Sequence, residues 1–293
     1  MSSLPPLVRS WRDAGRFVEI GDHKVFVVDR PGPPGPPIVI VHGFPGSSFD
    51  WHAVVPSLST HRRVVAFDLL GYGLTTKPTG GYSLFAQADL VQDLLATLDV
   101  ARCALIAHDM GDTVAAELAH RHNAGELPFD IAQLVLTNGS IFIDMAQLTR
   151  GQRLAAALPN RRLPLPLPAK LLRRSLLESF AAAAPPPEGA LEAMLALIQH
   201  GGGARLLPMQ IRYIEERRRH QSRWTQALVD YTGPLTAIWG ELDPIAVVDM
   251  PHRLQGLRPN TDVLTWPDTG HWPSVEQPQR LASAIADRLV PSP

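Results

Sequence analysis

The chain predicts an α/β fold: a mostly parallel sheet covered on both faces by helices, with a block of helices inserted late in the sequence. Three observations predict it. Short apolar runs alternate with stretches of helical spacing as far as Gly139. The strand signal then disappears until about Trp224, where leucine, alanine, arginine and proline dominate. From Leu235 the alternation resumes and runs to the end.

Arg16 to Ile20 and Lys24 to Val28 read as paired strands across Gly21-Asp22. The stretch Pro31 to Pro37 breaks the chain before Ile38-Val39-Ile40-Val41, a short and fully apolar strand. Arg63 to Phe67 is the next strand, ended by Asp68 and the Gly71-Tyr72-Gly73 turn. Leu84 to Leu98 repeats its leucines at helical spacing, Cys103 to Ala107 is a strand, Thr113 to His120 a helix, and Gln133 to Thr137 the sixth strand. Inside the insert, Leu171 to Ala182, Leu191 to Gln199 and Met209 to Arg223 read as helices, separated by the proline-rich Leu163 to Pro168 and Pro185 to Pro187. Leu235 to Trp239 and Asp262 to Trp266 complete the strands, and Gln277 to Leu289 closes the chain as a helix. Residues 1–139 and 229–293 are thus expected to form the core, and 140–228 a helical cap over the carboxyl ends of the strands.

Composition narrows the function classes. Of 293 residues, 45% are hydrophobic and 19% charged, which suits a globular enzyme. A formal net charge of -1 gives no reason to expect nucleic acid or an anionic membrane as partner. Cys103 is the single cysteine and lies in an expected buried strand, so no internal disulfide forms. Met1 to Trp11 holds no apolar run long enough for a secretory signal, and no segment reaches the roughly 20 apolar residues of a membrane span. A cytoplasmic enzyme needing no metal or organic cofactor is the expectation. His120 and His122 have metal-compatible spacing but no nearby third ligand, and read as surface residues.

The chemistry centres on Ala107-His108-Asp109-Met110-Gly111, between an apolar strand and a helix. Small residues at both ends allow a strained strand-to-helix turn that thrusts the central side chain out above the sheet. The centre here is aspartate rather than serine. A carboxylate is already anionic at neutral pH and can displace a leaving group from an sp3 carbon, which leaves a histidine free to activate water afterwards. The alternative is an aspartate that simply caps the following helix.

Partners favour the nucleophile. His42-Gly43-Phe44-Pro45-Gly46 follows an apolar strand, and the N–H groups of Phe44 and Met110 could form an oxyanion hole. Asp243 follows the strand Leu235 to Trp239 and could hold a histidine, with Glu241 a weaker rival. His271 follows the strand Asp262 to Trp266, giving the chain order nucleophile, acid, histidine. His42, Pro45, His108, Trp224 and Trp272 stand beside these elements or in the cap and are candidates to meet substrate.

Through His42 to Pro45, Asp68 to Gly73, His108 to Gly111, Asp243 and His271, nearly the whole chain resembles an α/β-hydrolase of the epoxide hydrolase and haloalkane dehalogenase group. Arg212 to Leu228 and Asn138-Gly139 also resemble the mesoderm-specific transcript proteins, a branch of that group. The resemblance implies an eight-stranded sheet with the cap after the sixth strand, Asp109 as nucleophile, His271 as water-activating base and Asp243 as its partner.

The leaving group separates the members of the group. The dehalogenases resembled here cradle a halide with a tryptophan after the nucleophile and an asparagine or second tryptophan. This chain has Met110 and Phe44 there, whose side chains cannot donate, so a cap residue such as Trp224 would have to substitute. Asp112 after Gly111 would repel the carboxylate that a fluoroacetate dehalogenase holds with arginines. Epoxide hydrolases protonate the departing oxygen with cap tyrosines, generally two, and Tyr213 is the one tyrosine of the insert. Tyr82 and Tyr231 lie outside it. An apolar epoxide, hydrolysed with water to a diol, is therefore the expected substrate, an apolar haloalkane the second choice, and a binding protein that no longer turns over the third. Arg217-Arg218-Arg219 after Glu215-Glu216 reads as a solvated helix face with local ion pairs. Oligomeric state is not legible.

Overall fold

In a computed structural model, which describes residues 4–291, eight strands form one sheet in the order β1-β2-β4-β3-β5-β6-β7-β8. They are β1 Arg16–Ile20, β2 His23–Arg30, β3 Ile38–Val41, β4 Val64–Phe67, β5 Arg102–His108, β6 Asp130–Thr137, β7 Leu235–Gly240 and β8 Asp262–Trp266. β2 runs antiparallel to β1 and β4, and every later pairing is parallel. The apolar run of β3 explains its place. All four residues are fully buried, as a strand with helices on both faces requires. Met1 to Ser3, the start of the segment read for a secretory signal, lies outside the described residues.

Twelve α-helices are described: α1 Pro6–Asp13, α2 Val55–Leu58, α3 Leu84–Thr97, α4 Met110–Asn123, α5 Arg150–Ala157, α6 Ala169–Leu177, α7 Glu188–Gln199, α8 Leu207–Gln210, α9 Tyr213–Asp230, α10 Asp249–Leu257, α11 Pro273–Glu276 and α12 Pro278–Ala286. Five of them, α5 to α9, lie between β6 and β7, where the sequence loses its strand signal. α1 is an addition to the expected elements. Pro6 suits the first helical position, and Val8 and Trp11 bury one stripe. Several expected helices have other limits, two of them for a visible reason. α6 ends at Leu177 rather than Ala182, because the chain from Ser179 to Ala181 turns to bond the loop of His271. The run from Met209 is broken at Ile211-Arg212, so that Tyr213 opens α9. Among the described residues no helix is long and apolar enough to cross a membrane.

α9 is fastened to the core through one buried carboxylate. Glu117 of α4 is 1% exposed and accepts from Arg121 Nε, from Arg223 Nε and Nη2, and from Trp224 Nε1, at 2.8 to 3.0 Å. Burial alone would raise the Glu117 carboxyl, but Arg223, Trp224 and Arg121 hold it below the ordinary glutamate range. Its charge therefore adds stability above the ordinary value, lost as pH falls through the lowered folded value. Glu117→Gln should cost about 3 kcal/mol, since Arg223 loses its counter-charge and Arg121 is left with Asp89 alone. The melting temperature should fall by roughly 5–10 °C, read by calorimetry.

Candidate active site

β5 enters the site and α4 leaves it, with Asp109 at the turn between them. Its backbone sits at φ +51° and ψ -111°, a strained conformation for a residue with a Cβ. Close neighbours explain the small residues around it. A Cβ on Gly43 would stand 2.6 Å from the Cβ of Asp109, and one on Gly111 would stand 2.4 Å from the carbonyl oxygen of Val41. Asp109 precedes α4 but makes no side-chain cap hydrogen bond, which removes the helix-cap alternative.

The two carboxylate oxygens of Asp109 have different surroundings. Oδ2 accepts from the N–H of Phe44 at 2.9 Å, and the N–H of Met110 also bonds the carboxylate. Oδ1 is buried without a hydrogen-bond partner and lies 4.0 Å from Nε2 of His271. That gap is too long for a hydrogen bond. Nδ1 of His271 meets Asp243 Oδ2 at 2.8 Å. Asp243 Oδ1 in turn accepts from the N–H groups of Ile245 and Ala246 at 2.7 and 3.0 Å.

Electrostatics follow from these contacts. Burial pushes the Asp109 carboxyl up, while His271, Arg217 and the two N–H groups pull it back. Burial would lower His271, but the Asp243 carboxylate, aided by Asp109 and Glu276, outweighs it and pushes the imidazole up to about 9.

Three residues at the site carry little sequence signal. Asn138, in a left-handed conformation at φ +49°, donates from Nδ2 to Asp243 Oδ2 at 2.8 Å and accepts the N–H of Gly240 at Oδ1. Glu276 accepts from the N–H groups of Gly270, Trp272 and Ala181, binding the His271 loop to the cap. Ser179 receives His271 N–H at its carbonyl and Trp272 Nε1 at its hydroxyl, 3.1 and 2.7 Å.

Arg217 corrects the reading of a solvated arginine run. It is 2% exposed, donates from Nη2 to the main-chain carbonyl of Asp109 at 2.8 Å and from Nε to the hydroxyl of Thr113 at 2.7 Å, and lies 4.7 Å over the ring of Tyr213. Arg218 and Arg219 are exposed as expected. A signal was present. Arg217 is one helical turn after Tyr213, so the face that carries the tyrosine carries the arginine.

Tyr213 is buried, its ring 5.6 Å from that of Phe44, and the side chain of Gln152 on α5 lies in hydrogen-bonding reach of its hydroxyl. Burial, then the nearby Asp109 charge, raise its phenol well above the ordinary value, so it keeps its proton. Tyr82 and Tyr231 donate to the carbonyls of Pro78 and Ile131. The Tyr72 hydroxyl lies 3.5 Å from the sulfur of Met110, and its ring packs edge-on against His42.

A narrow cavity runs from His271 and Phe44 between α5 and α6. Its walls are mainly apolar, with Pro45 and Trp272 among them as expected. His42, His108 and Trp224 are not among its lining residues. His42 Nε2 accepts from Leu69 N–H and its Nδ1 meets the carbonyl of Gly43, a neutral ring that braces the turn. His108 Nε2 bonds the main-chain carbonyl of His271 at 2.7 Å. Trp224 gives its N–H to Glu117, so it has none to offer a halide.

Comparison with known proteins agrees with this architecture. The family described as alpha/beta hydrolase fold matches residues 36–278. The protein named "Putative hydrolase LipZ" from Mycobacterium tuberculosis is 38% identical over 292 residues, covering 97% of this chain and 99% of that protein. The mesoderm-specific transcript homolog protein of Homo sapiens is 33% identical over 299 residues, covering 96% and 87%. An alpha/beta hydrolase fold protein from Burkholderia ambifaria overlays with a TM-score of 0.77 at 25% identity, covering 94% and 98%. The chain belongs to the alpha/beta hydrolase family.

Proposed function

We propose that this hydrolase opens an apolar epoxide to a diol through an ester on Asp109. The observation that carries the reading is the division of labour within that carboxylate. Oδ2 is held by the N–H of Phe44, the N–H of Met110 also bonds the carboxylate, and Oδ1 is without a partner on the side of the site where His271 stands.

Asp109 Oδ1 attacks an epoxide carbon, the C–O bond breaks, and the departing oxygen takes the phenolic proton of Tyr213. The second step starts when His271, held by Asp243, takes a proton from water. The hydroxide adds to the ester carbonyl carbon, and the oxyanion forms on Oδ2, toward which the N–H of Phe44 already points, with that of Met110 on the same carboxylate. Collapse releases the diol. One proton of the water passes through His271 to the leaving hydroxyl, the other returns to Tyr213, and the oxygen of the water stays on Asp109.

A halide is less well served. Trp272 is the tryptophan that lines the cavity, and its N–H is given to Ser179. Tyr213→Phe tests the choice. Epoxide turnover should fall by about 100-fold, the low end of the range for a lost general acid, while any bromoalkane turnover stays. Equal loss with both substrates would remove Tyr213 from the acid role. Diol formation without label on Asp109 in a single turnover in heavy-oxygen water would overturn the ester.

A further inference from the structure

The net charge of -1 hides a strong segregation. Residues 150–178 hold seven arginines and lysines against one acid, Glu178. All seven basic side chains are exposed. On α5, Arg150, Arg153 and Leu154 recur at helical spacing and are exposed together; on α6, Lys170, Arg173 and Arg174 do the same. Arg161 and Arg162 lie in the connection between the two helices. A surface groove lined by Arg150, Arg153 and Glu178 joins the two faces. Arg173 and Arg174 are matched by Glu188 and Glu178. No carboxylate pairs with Arg150, Arg153 or Lys170 among the described residues.

Apolar side chains stand within the same field. Leu165 is 75% exposed and Leu154 42%, in a chain whose other large apolar residues are mostly buried. Leu154 is also a wall of the cavity that leads to His271, with Leu167 and Leu171 beside it. At Leu154 the wall of the cavity therefore reaches the surface inside this field of positive charge and exposed leucine. An exposed apolar patch ringed by unpaired cations fits the interface of a bilayer, where leucine enters the acyl boundary and guanidinium stays at the headgroups.

We infer that the outer face of α5 and α6 docks on a membrane containing anionic phospholipid, with the cavity mouth toward the lipid. A substrate dissolved in the bilayer would then reach Asp109 without crossing water. The docking itself does not depend on which bond the site breaks. It is measured without turnover, so its failure and that of the epoxide reading are separable.

The test is co-sedimentation of the whole chain with vesicles of phosphatidylcholine alone, and of phosphatidylcholine mixed with phosphatidylglycerol. Binding is expected to the mixed vesicles only, and to fade as salt is raised. Arg150→Gln, Arg153→Gln and Lys170→Gln combined should weaken it about 100-fold, from a factor of about five per basic side chain at an anionic surface, with an unchanged melting profile. Leu165→Ser alone should weaken it about fivefold. Absence of binding to the mixed vesicles overturns the proposal, as does binding indifferent to salt. Capture on a heparin or RNA column without vesicle binding overturns it in favour of a polyanionic macromolecule. The salt series uses the unmodified protein, so the answer does not hang on a variant that folds.

Discussion

Exchange of His271 for phenylalanine is expected to stop the reaction halfway and leave the protein heavier by the mass of one substrate molecule. In the proposed mechanism the imidazole is not needed for attack, because the carboxylate itself is the nucleophile and its Oδ1 has no hydrogen bond to break. It is needed afterwards, since nothing else beside the ester is held by a carboxylate as His271 is by Asp243. Steady-state turnover should fall by about 10⁴-fold or more, the scale of losing one member of a unit that acts together. Intact-mass spectrometry after exposure to a panel of epoxides and bromoalkanes reads the adduct, and peptide mapping should place it on Asp109. An adduct from epoxides alone supports the proposed function; one from bromoalkanes alone transfers the case to dehalogenation. An unmodified protein with both panels would argue against covalent catalysis on these substrates.

Loss of the Arg217 guanidinium should have the second largest effect. Arg217→Met removes the donors to the Asp109 carbonyl and Thr113 together, and takes away one of two positive neighbours of the nucleophile. The Asp109 carbonyl keeps the N–H of Asp112 but loses its charged donor, which costs about 1–3 kcal/mol, and a turn held less firmly should lower kcat/KM by about 100-fold. The sign of the pH effect follows from charge. Arg217 favours the carboxylate, so without it Asp109 takes up a proton at higher pH, and the acidic limb of the rate profile moves upward. Other groups around Asp109 stay in place: His271, the raised and buried Asp112, Tyr72 and Tyr213. Arg217→Lys keeps a charge near the same spot. It should share the loss of stability but retain the position of the limb, which a purely structural arginine would not predict.

What the sequence reveals and conceals at this site has a physical basis. The turn around Asp109 is legible because sterics leave so few ways to build it, and the glycines at 43 and 111 mark backbone approaches that no Cβ survives. Sheet and insert are legible through period: a four-residue apolar strand such as β3 and the repeating leucines of α3 each show it locally. Long-range partners are not. Arg217 sits in a run of charges that locally looks solvated, and only its register with Tyr213 betrays its burial. Trp224 reads as a free donor until Glu117, 107 residues away, is seen to hold it. Ser179 and Glu276 lie in segments with no motif, and their role is defined wholly by where the loop of His271 folds back.

That fold-back constrains how the enzyme can breathe. The main chain of His271 hangs from Ser179, and Glu276 clasps Ala181 and Gly270 at once, so the segment after α6 and the seat of His271 are one joint. Lifting the helices between β6 and β7 away from the sheet as one body would break these bonds and loosen the loop that carries His271. A helical insert transplanted from a relative would have to bring equivalent anchors at 179 and 181.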